Sequence, residues 1–115
     1  MALHYNLAKV YEISENDTEF VVEILKLFVQ DVPSDLLQMK EAINEKMHQE
    51  AYSFAHKIKP SLDLLGMTIA YEENLCIENW TREKGKKKEI IDTYKTLESH
   101  IEKAVKEIKK DFNLQ

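Results

Sequence analysis

Only four residues of the 115 are glycine or proline: Pro33, Pro60, Gly66 and Gly85. A β-rich chain needs turn residues every few positions, and a phosphate-cradling loop of the GxGxxG or GxxxxGK[ST] type needs clustered glycines. This sequence has material for neither. Between most of these four points the apolar residues recur every three to four positions, the period of an amphipathic helix. The length suits a single domain, residues 1–115, and leaves no room for a second. With 43% hydrophobic and 32% charged residues, the composition is that of a soluble globular protein. The net charge of −5 argues against general binding of nucleic acid or an anionic membrane, because phosphate attracts a basic face. No apolar run nears the ~18 residues of a membrane span, and Met1–Leu7 lacks a signal-peptide pattern. One cysteine, Cys76, excludes internal disulfides and a cysteine-based zinc site; it fits a reducing compartment and reads as a small core residue. The expectation is a cytoplasmic, all-α protein.

The helices can be placed from their caps and stripes. Asn16-Asp17-Thr18-Glu19 sets an amide cap three residues before a carboxylate, which marks a helix start. That helix carries Phe20, Val21, Ile24, Leu25, Leu27 and Phe28 and is expected to stop near Val32. Pro33, whose missing N–H costs nothing in a first turn, then opens a second helix with Leu36, Met39, Ile43 and Met47 on one stripe. A third runs from about His48 to Leu65, with Ala51, Phe54, Ala55, Ile58, Leu62 and Leu65 together, and stops at a left-handed Gly66. A fourth, Thr68 to about Lys84, offers Ile69, Ala70, Cys76, Ile77 and Trp80 and ends at Gly85. The last carries Ile90, Tyr94, Leu97, Ile101, Val105, Ile108 and Phe112 at an unbroken 3–4 step. Short connections make sequential helices antiparallel, so the predicted architecture is an up-down-up-down four-helix bundle. The first 15 residues form an additional short helix or strap across one end.

A bundle alone does not specify a function, so the useful residues are polar ones that packing does not require. Of His4, His48, His56 and His100, the third is the informative one. On a helical wheel His56 lies roughly 150° from the centre of its helix's apolar stripe, on the solvent side. Lys57 is adjacent and Lys59 one turn along; Tyr52, Ser61 and Asp63 share the exposed face. Two ammonium groups beside an imidazole would lower its pKa and leave a ring nitrogen with a free lone pair. They would also stabilise a dianionic phosphoryl group if that nitrogen attacked phosphorus. A cluster of solvated surface residues is the plainer reading of the same positions. Pro60 weighs against it: inside a helix it removes the N–H that would bond the His56 carbonyl, at a cost of ~3 kcal/mol. The stripe stays in phase from Ile58 to Leu65, which favours a continuous helix over a break at Pro60.

Other chemistries fit less well. His48 and His56 share a face but stand ~12 Å apart along the axis, too far for one ion. Glu45-Lys46-Met47-His48 is a single Glu-x-x-His match, where a di-iron bundle needs two. No metal ligands and no resident cofactor are therefore assigned. Lys86-Lys87-Lys88, with Arg82 and Lys84 nearby and Glu83 and Glu89 diluting them, reads as a solvated turn between the fourth and fifth helices.

Ala55-His56-Lys57-Ile58-Lys59-Pro60-Ser61-Leu62, with Leu65-Gly66 behind them, resemble the signature of histidine-containing phosphotransfer (HPt) domains, Ala-His-x-Leu/Ile-Lys-Gly-Ser. Phe28, Asp31 and Pro33 upstream and Ile77-Glu78 downstream agree with the wider frame, and the resemblance covers about residues 5 to 112. It implies a phosphorelay intermediate of two-component signalling. His56 would accept a phosphoryl group from an aspartyl phosphate on one response-regulator receiver domain and pass it to another. Lys59, with Lys57 as a second cation, would hold the phosphoryl oxygens. Mg²⁺ would belong to the receiver. A hybrid histidine kinase is a further implied partner. The chain itself is expected to be a monomer without autokinase activity, since no nucleotide-binding loop or Mg²⁺-binding Asp motif is identifiable. Tyr52, Pro60 and Asp63, with apolar neighbours from the second helix, would dock the receiver. Pro60 departs from the family's usual glycine, which bears on helix geometry beside His56 and on which receivers fit. The competing reading is a helical adaptor that is never phosphorylated.

Overall fold

The computed structural model describes residues 2–114. Five helices and no strand occur among them: α1 (Ala8–Ile13), α2 (Thr18–Asn44), α3 (His48–Leu64), α4 (Thr68–Arg82) and α5 (Lys87–Asp111). α2 packs on α3, α3 on α4 and α4 on α5; α5 closes back onto α2, and α1 lies against α2. The result is an all-α, up-down-up-down bundle 43 Å long and 24 × 20 Å across.

Pro33 does not begin a helix. α2 runs through it as one element of 27 residues. The reason is visible in the burial. Val21, Leu25, Phe28, Val32, Leu36, Met39 and Ile43 form one buried stripe across the proline. Burying Leu36, Met39 and Ile43 is worth about 1.5–3 kcal/mol each, which outweighs the ~3 kcal/mol that one internal proline costs. Pro33 itself is exposed. Pro33→Ala is therefore expected to stabilise the fold by about 2 kcal/mol, the helix gain less the entropy returned to the unfolded chain. Urea unfolding of the two proteins, compared at equal slope, checks this.

The cap of α2 also moves by one residue. Asp17, not Asn16, accepts the Phe20 amide, at 3.3 Å. Asn16 instead takes a left-handed conformation (φ 65°) and donates its N–H to the Tyr11 carbonyl, which ends α1. Gly66 is left-handed as expected (φ 63°), but at the end of α4 it is Lys84 (φ 51°) rather than Gly85 that turns the chain. Gly85 is needed for space, because a Cβ there would sit 2.3 Å from Trp80 Cδ1. In the lysine run at the turn between α4 and α5, Lys86 is the N-cap of α5 and Lys87 and Lys88 open it, so these cations face the unfavourable end of a helix dipole. Glu89 offsets this, its Oε1 accepting the Lys86 N–H at 2.6 Å.

The core is lined by the predicted stripes with specific departures. α5 buries Ile90, Tyr94, Leu97, Ile101 and Ile108 as read, plus Ala104. Phe20, Leu27 and Met47 are exposed, and so is Ile69 on α4. Cys76 is exposed too, not a core residue. In their place α4 buries Asn74, Glu78 and Thr81 beside Ala70, Ile77 and Trp80.

Residues 3–6 form a strap over the end of the bundle where α3 and α5 finish. The Leu3 and His4 amides both donate to the Glu107 carboxylate at 2.8 Å. The Tyr5 hydroxyl donates to Asp111 at 2.8 Å, and the Asn6 amide to the Leu65 carbonyl. The Leu3 amide first, then that of His4, holds the Glu107 carboxyl below the usual carboxylate range. The strap thus rests against the turn that ends α3, two to three helical turns beyond His56.

Candidate functional site

His56 lies on the exposed face of α3, opposite the stripe of Ala51, Ala55, Ile58, Leu62 and Leu65 that buries the helix. No core contact requires an imidazole at this position. The ring stacks on Tyr52, one turn earlier, with centroids 5.6 Å apart and planes inclined by 15°. The Arg82 guanidinium from α4 sits over the other part of this column, 5.5 Å from the Tyr52 ring centroid, with Nη2 a long 3.5 Å from the Tyr52 hydroxyl. Tyr52, which sequence spacing places only on the same face, is in direct contact with the histidine.

Pro60 lies inside α3, which passes through it without a break. Its missing N–H leaves the His56 carbonyl without its helical donor. The neighbouring Ala55 carbonyl receives an additional one, since Asn74 Nδ2 donates to it at 2.7 Å from α4. This buried cross-brace ties the turn carrying His56 to the helix beside it.

The two lysines are not the free ammonium groups that the sequence suggests. Lys57 reaches across to α2 and pairs with Asp35 at 3.0 Å. That hydrogen bond, then the Asp35 charge, holds the Lys57 ammonium above its ordinary range. Lys59 turns the other way, toward α4, and pairs with the buried Glu78 at 3.2 Å. Arg82 lies 3.9 Å from the same Glu78 oxygen. Each ammonium beside His56 thus has a carboxylate of its own, so the positive field expected at the imidazole is largely offset. The pairings join residues 22 and 19 positions apart on neighbouring helices, and no local spacing signals them.

The remaining residues sit at the edges of this patch. Pro60 and Asp63 are exposed on α3, and Asp63 pairs with Lys9 of α1 at 3.1 Å. Between α2 and α3 runs a groove lined by Leu27, Asp31, Asp35, Lys57, Ser61 and Leu64. His48 is separate: its Nε2 lies 2.9 Å from the Gly85 carbonyl oxygen and its ring packs on Trp80. His100 pairs with Glu73 at 2.8 Å and His4 with Glu107 at 3.5 Å. Among the described residues, no three His, Cys, Asp or Glu side chains converge as a metal site.

A family model for the Hpt domain matches residues 23–111, most of the chain. The chain belongs to the Hpt domain family. The match begins within α2 and ends with α5, so the strap and α1 lie outside it. No curated protein matches the chain, and no solved structure does. Membership implies histidine phosphotransfer in phosphorelay signalling, with receiver domains of two-component systems as partners; Hpt domains are phosphotransfer intermediates rather than kinases. No helix among the described residues is long and apolar enough to cross a membrane.

Proposed function

We propose that His56 is the phosphoacceptor of this Hpt domain, taking a phosphoryl group from a receiver aspartyl phosphate and passing it to a second receiver. The observation that supports this best is an exposed imidazole stacked on Tyr52, with the Lys59 ammonium one turn away anchored on a buried carboxylate. A neutral imidazole attacks phosphorus through the nitrogen that carries its lone pair. A P–N bond forms, the P–O bond to the receiver carboxylate breaks, and the aspartate leaves as a carboxylate. The other ring nitrogen keeps its hydrogen, so the ring is briefly cationic until it loses a proton to water. Onward transfer reverses these events on another receiver.

Catalysis of this step is mainly positioning and charge neutralisation. The Tyr52 stack limits the ring's orientation, and Lys59 supplies a donor for the phosphoryl oxygens. Lys57, drawn toward Asp35, contributes more to the rim of the groove than to the phosphoryl group. The chain needs no cofactor of its own; the receiver brings its aspartyl phosphate and Mg²⁺. Docking would use Tyr52, Pro60 and Asp63 on α3, with Leu27 and Leu64 of the adjoining groove supplying apolar contact. We take residues 1–115 to act as one monomeric, cytoplasmic domain without autokinase activity.

Incubation with phosphorylated receiver domains tests the reading. The parent should acquire acid-labile, base-stable label, and His56→Gln should acquire none. Because His56 is exposed, that variant should keep the parent's unfolding midpoint. Equal labelling of the two proteins removes the assignment, and a parent that binds receivers without taking label would make it an adaptor.

A further inference from the structure

Glu78 is the position on α4 where burial is least compatible with residue type, a carboxylate only 1% exposed. Its Oε1 accepts from Lys59 at 3.2 Å and lies 3.9 Å from Arg82. Its Oε2 has no hydrogen-bond partner among the described residues. One turn back on the same helix, the buried Asn74 likewise leaves its Oδ1 without one. The face of α4 that meets the His56-bearing helix therefore carries negative potential that its own donors do not fully compensate. Lys59, with its side chain 23% exposed, is the group that this potential holds most closely. An ammonium has three donors, and Glu78 takes one of them.

We propose that Glu78 competes with a phosphoryl group on His56 for the Lys59 ammonium, and so keeps that group weakly held and short-lived. The inference rests on the assignment of His56 as phosphoacceptor. A phosphoryl group on the imidazole is close to dianionic, so it draws on the same cation that the buried carboxylate already holds. Lys59 does not abandon Glu78, because that would leave a buried charge unpaired; it is shared between the two anions. When the P–N bond breaks, the transition state is loose and metaphosphate-like. A cation held on the phosphoryl oxygens therefore stabilises the phosphorylated state more than the route out of it. By diverting that cation, Glu78 raises the phosphorylated state and shortens its life. Glu78 is thus a positioning residue acting through Lys59, and it biases the site toward passing the group on rather than storing it.

Phosphohistidine lifetime reads this out without a receiver. Potassium phosphoramidate transfers its phosphoryl group to the imidazole, with ammonia leaving as the new P–N bond forms. After the reagent is removed, hydrolysis is followed by ³¹P NMR at neutral pH: water oxygen bonds phosphorus, the P–N bond breaks, and the ring recovers a proton. Glu78→Gln, which keeps an acceptor for Lys59 but loses the charge, should lengthen the half-life roughly three- to tenfold. Glu78→Met, which also removes the charge while filling the space, should lengthen it as well. Lys59→Gln should shorten it, and in that background Glu78→Gln should change it by less than about twofold, because the effect passes through Lys59. A purely structural role for Glu78 would shorten the lifetime or leave it alone. An unchanged or shorter half-life in both Glu78 variants overturns the proposal, as does a gain that persists without Lys59. A parent that takes no phosphoryl group at His56 overturns the phosphoacceptor assignment together with it; a labelled parent with an unresponsive Glu78 overturns only the competition.

Discussion

Lys59→Ala is expected to slow phosphoryl transfer onto His56 by about 10- to 100-fold, whereas Lys57→Ala should slow it by no more than about threefold. By sequence the two lysines are equivalent neighbours of the histidine. By structure they face opposite sides of α3. Lys59 is mostly buried and fixed on Glu78, so its donors are in place before the phosphoryl group arrives and little ordering remains to be done. Lys57 has 63% of its side chain exposed and is directed at Asp35 on α2. Both variants also lose stability. Removing Lys59 strands the buried Glu78 charge and should cost about 3 kcal/mol, the lower part of the usual range because Arg82 stays nearby. Removing Lys57 takes away the partner of the buried Asp35 but should cost less, because the Lys57 ammonium is itself largely exposed and screened by water. Rates measured with one phosphorylated receiver well below both unfolding midpoints separate the two effects. Equal rate losses would contradict the assignment of Lys59 as the phosphoryl-holding cation.

Gly85→Ala should lower stability by about 2–3 kcal/mol, or about 8–12 °C in unfolding temperature, without altering phosphoryl transfer below the transition. The backbone at Gly85 is not left-handed, so strain in φ is not the cause. A methyl group there would meet Trp80 Cδ1 at 2.3 Å, Trp80 Nε1 at 2.5 Å and Glu89 Oε1 at 2.9 Å. Trp80 has little freedom to yield, because its Nε1–H donates to the Lys86 carbonyl at 2.9 Å and its ring packs on His48. Displacing the tryptophan would also disturb the Glu89 cap of α5. Thermal unfolding followed by tryptophan emission reports on the residue that must move. A change within about 0.5 kcal/mol would mean that this corner repacks far more readily than its contacts imply.

The parts of the fold that were legible in the sequence are those governed by local periodicity. α5 was readable because a 3–4 apolar step continues unbroken from Ile90 to Ile108, and α3 because its stripe stays in phase through Pro60. Pro33 was misread for the opposite reason. Its local chemistry suits a helix start, and only the shared buried stripe on either side shows that tertiary packing outweighs it. α4 was the least legible helix. Its buried face includes Asn74 and Glu78, which hydropathy assigns to solvent, while Ile69 and Cys76 face outward.

The candidate site divides along the same line. The exposure of His56 followed from a helical wheel, since one helix determines it. The pairing of Lys57 with Asp35 and of Lys59 with Glu78 depends on which helices adjoin α3 and in what register. Residues 22 and 19 positions apart carry no periodic signal for this. Arg82, set aside with the lysine-rich turn, meets Tyr52 for the same reason. One mark was present: Ile77-Glu78 was read only as part of a family frame, whereas a carboxylate amid a helix's apolar positions is itself a sign of a buried partner.

The account depends on where phosphorus becomes bonded. Mass-spectrometric mapping of the protein after incubation with a phosphorylated receiver, under alkaline conditions that preserve P–N bonds, tests it most directly. A single phosphorylated peptide containing His56, with His4, His48 and His100 unmodified, is the predicted result. Label on one of those other histidines, or none on a protein that the receiver demonstrably binds, would contradict it.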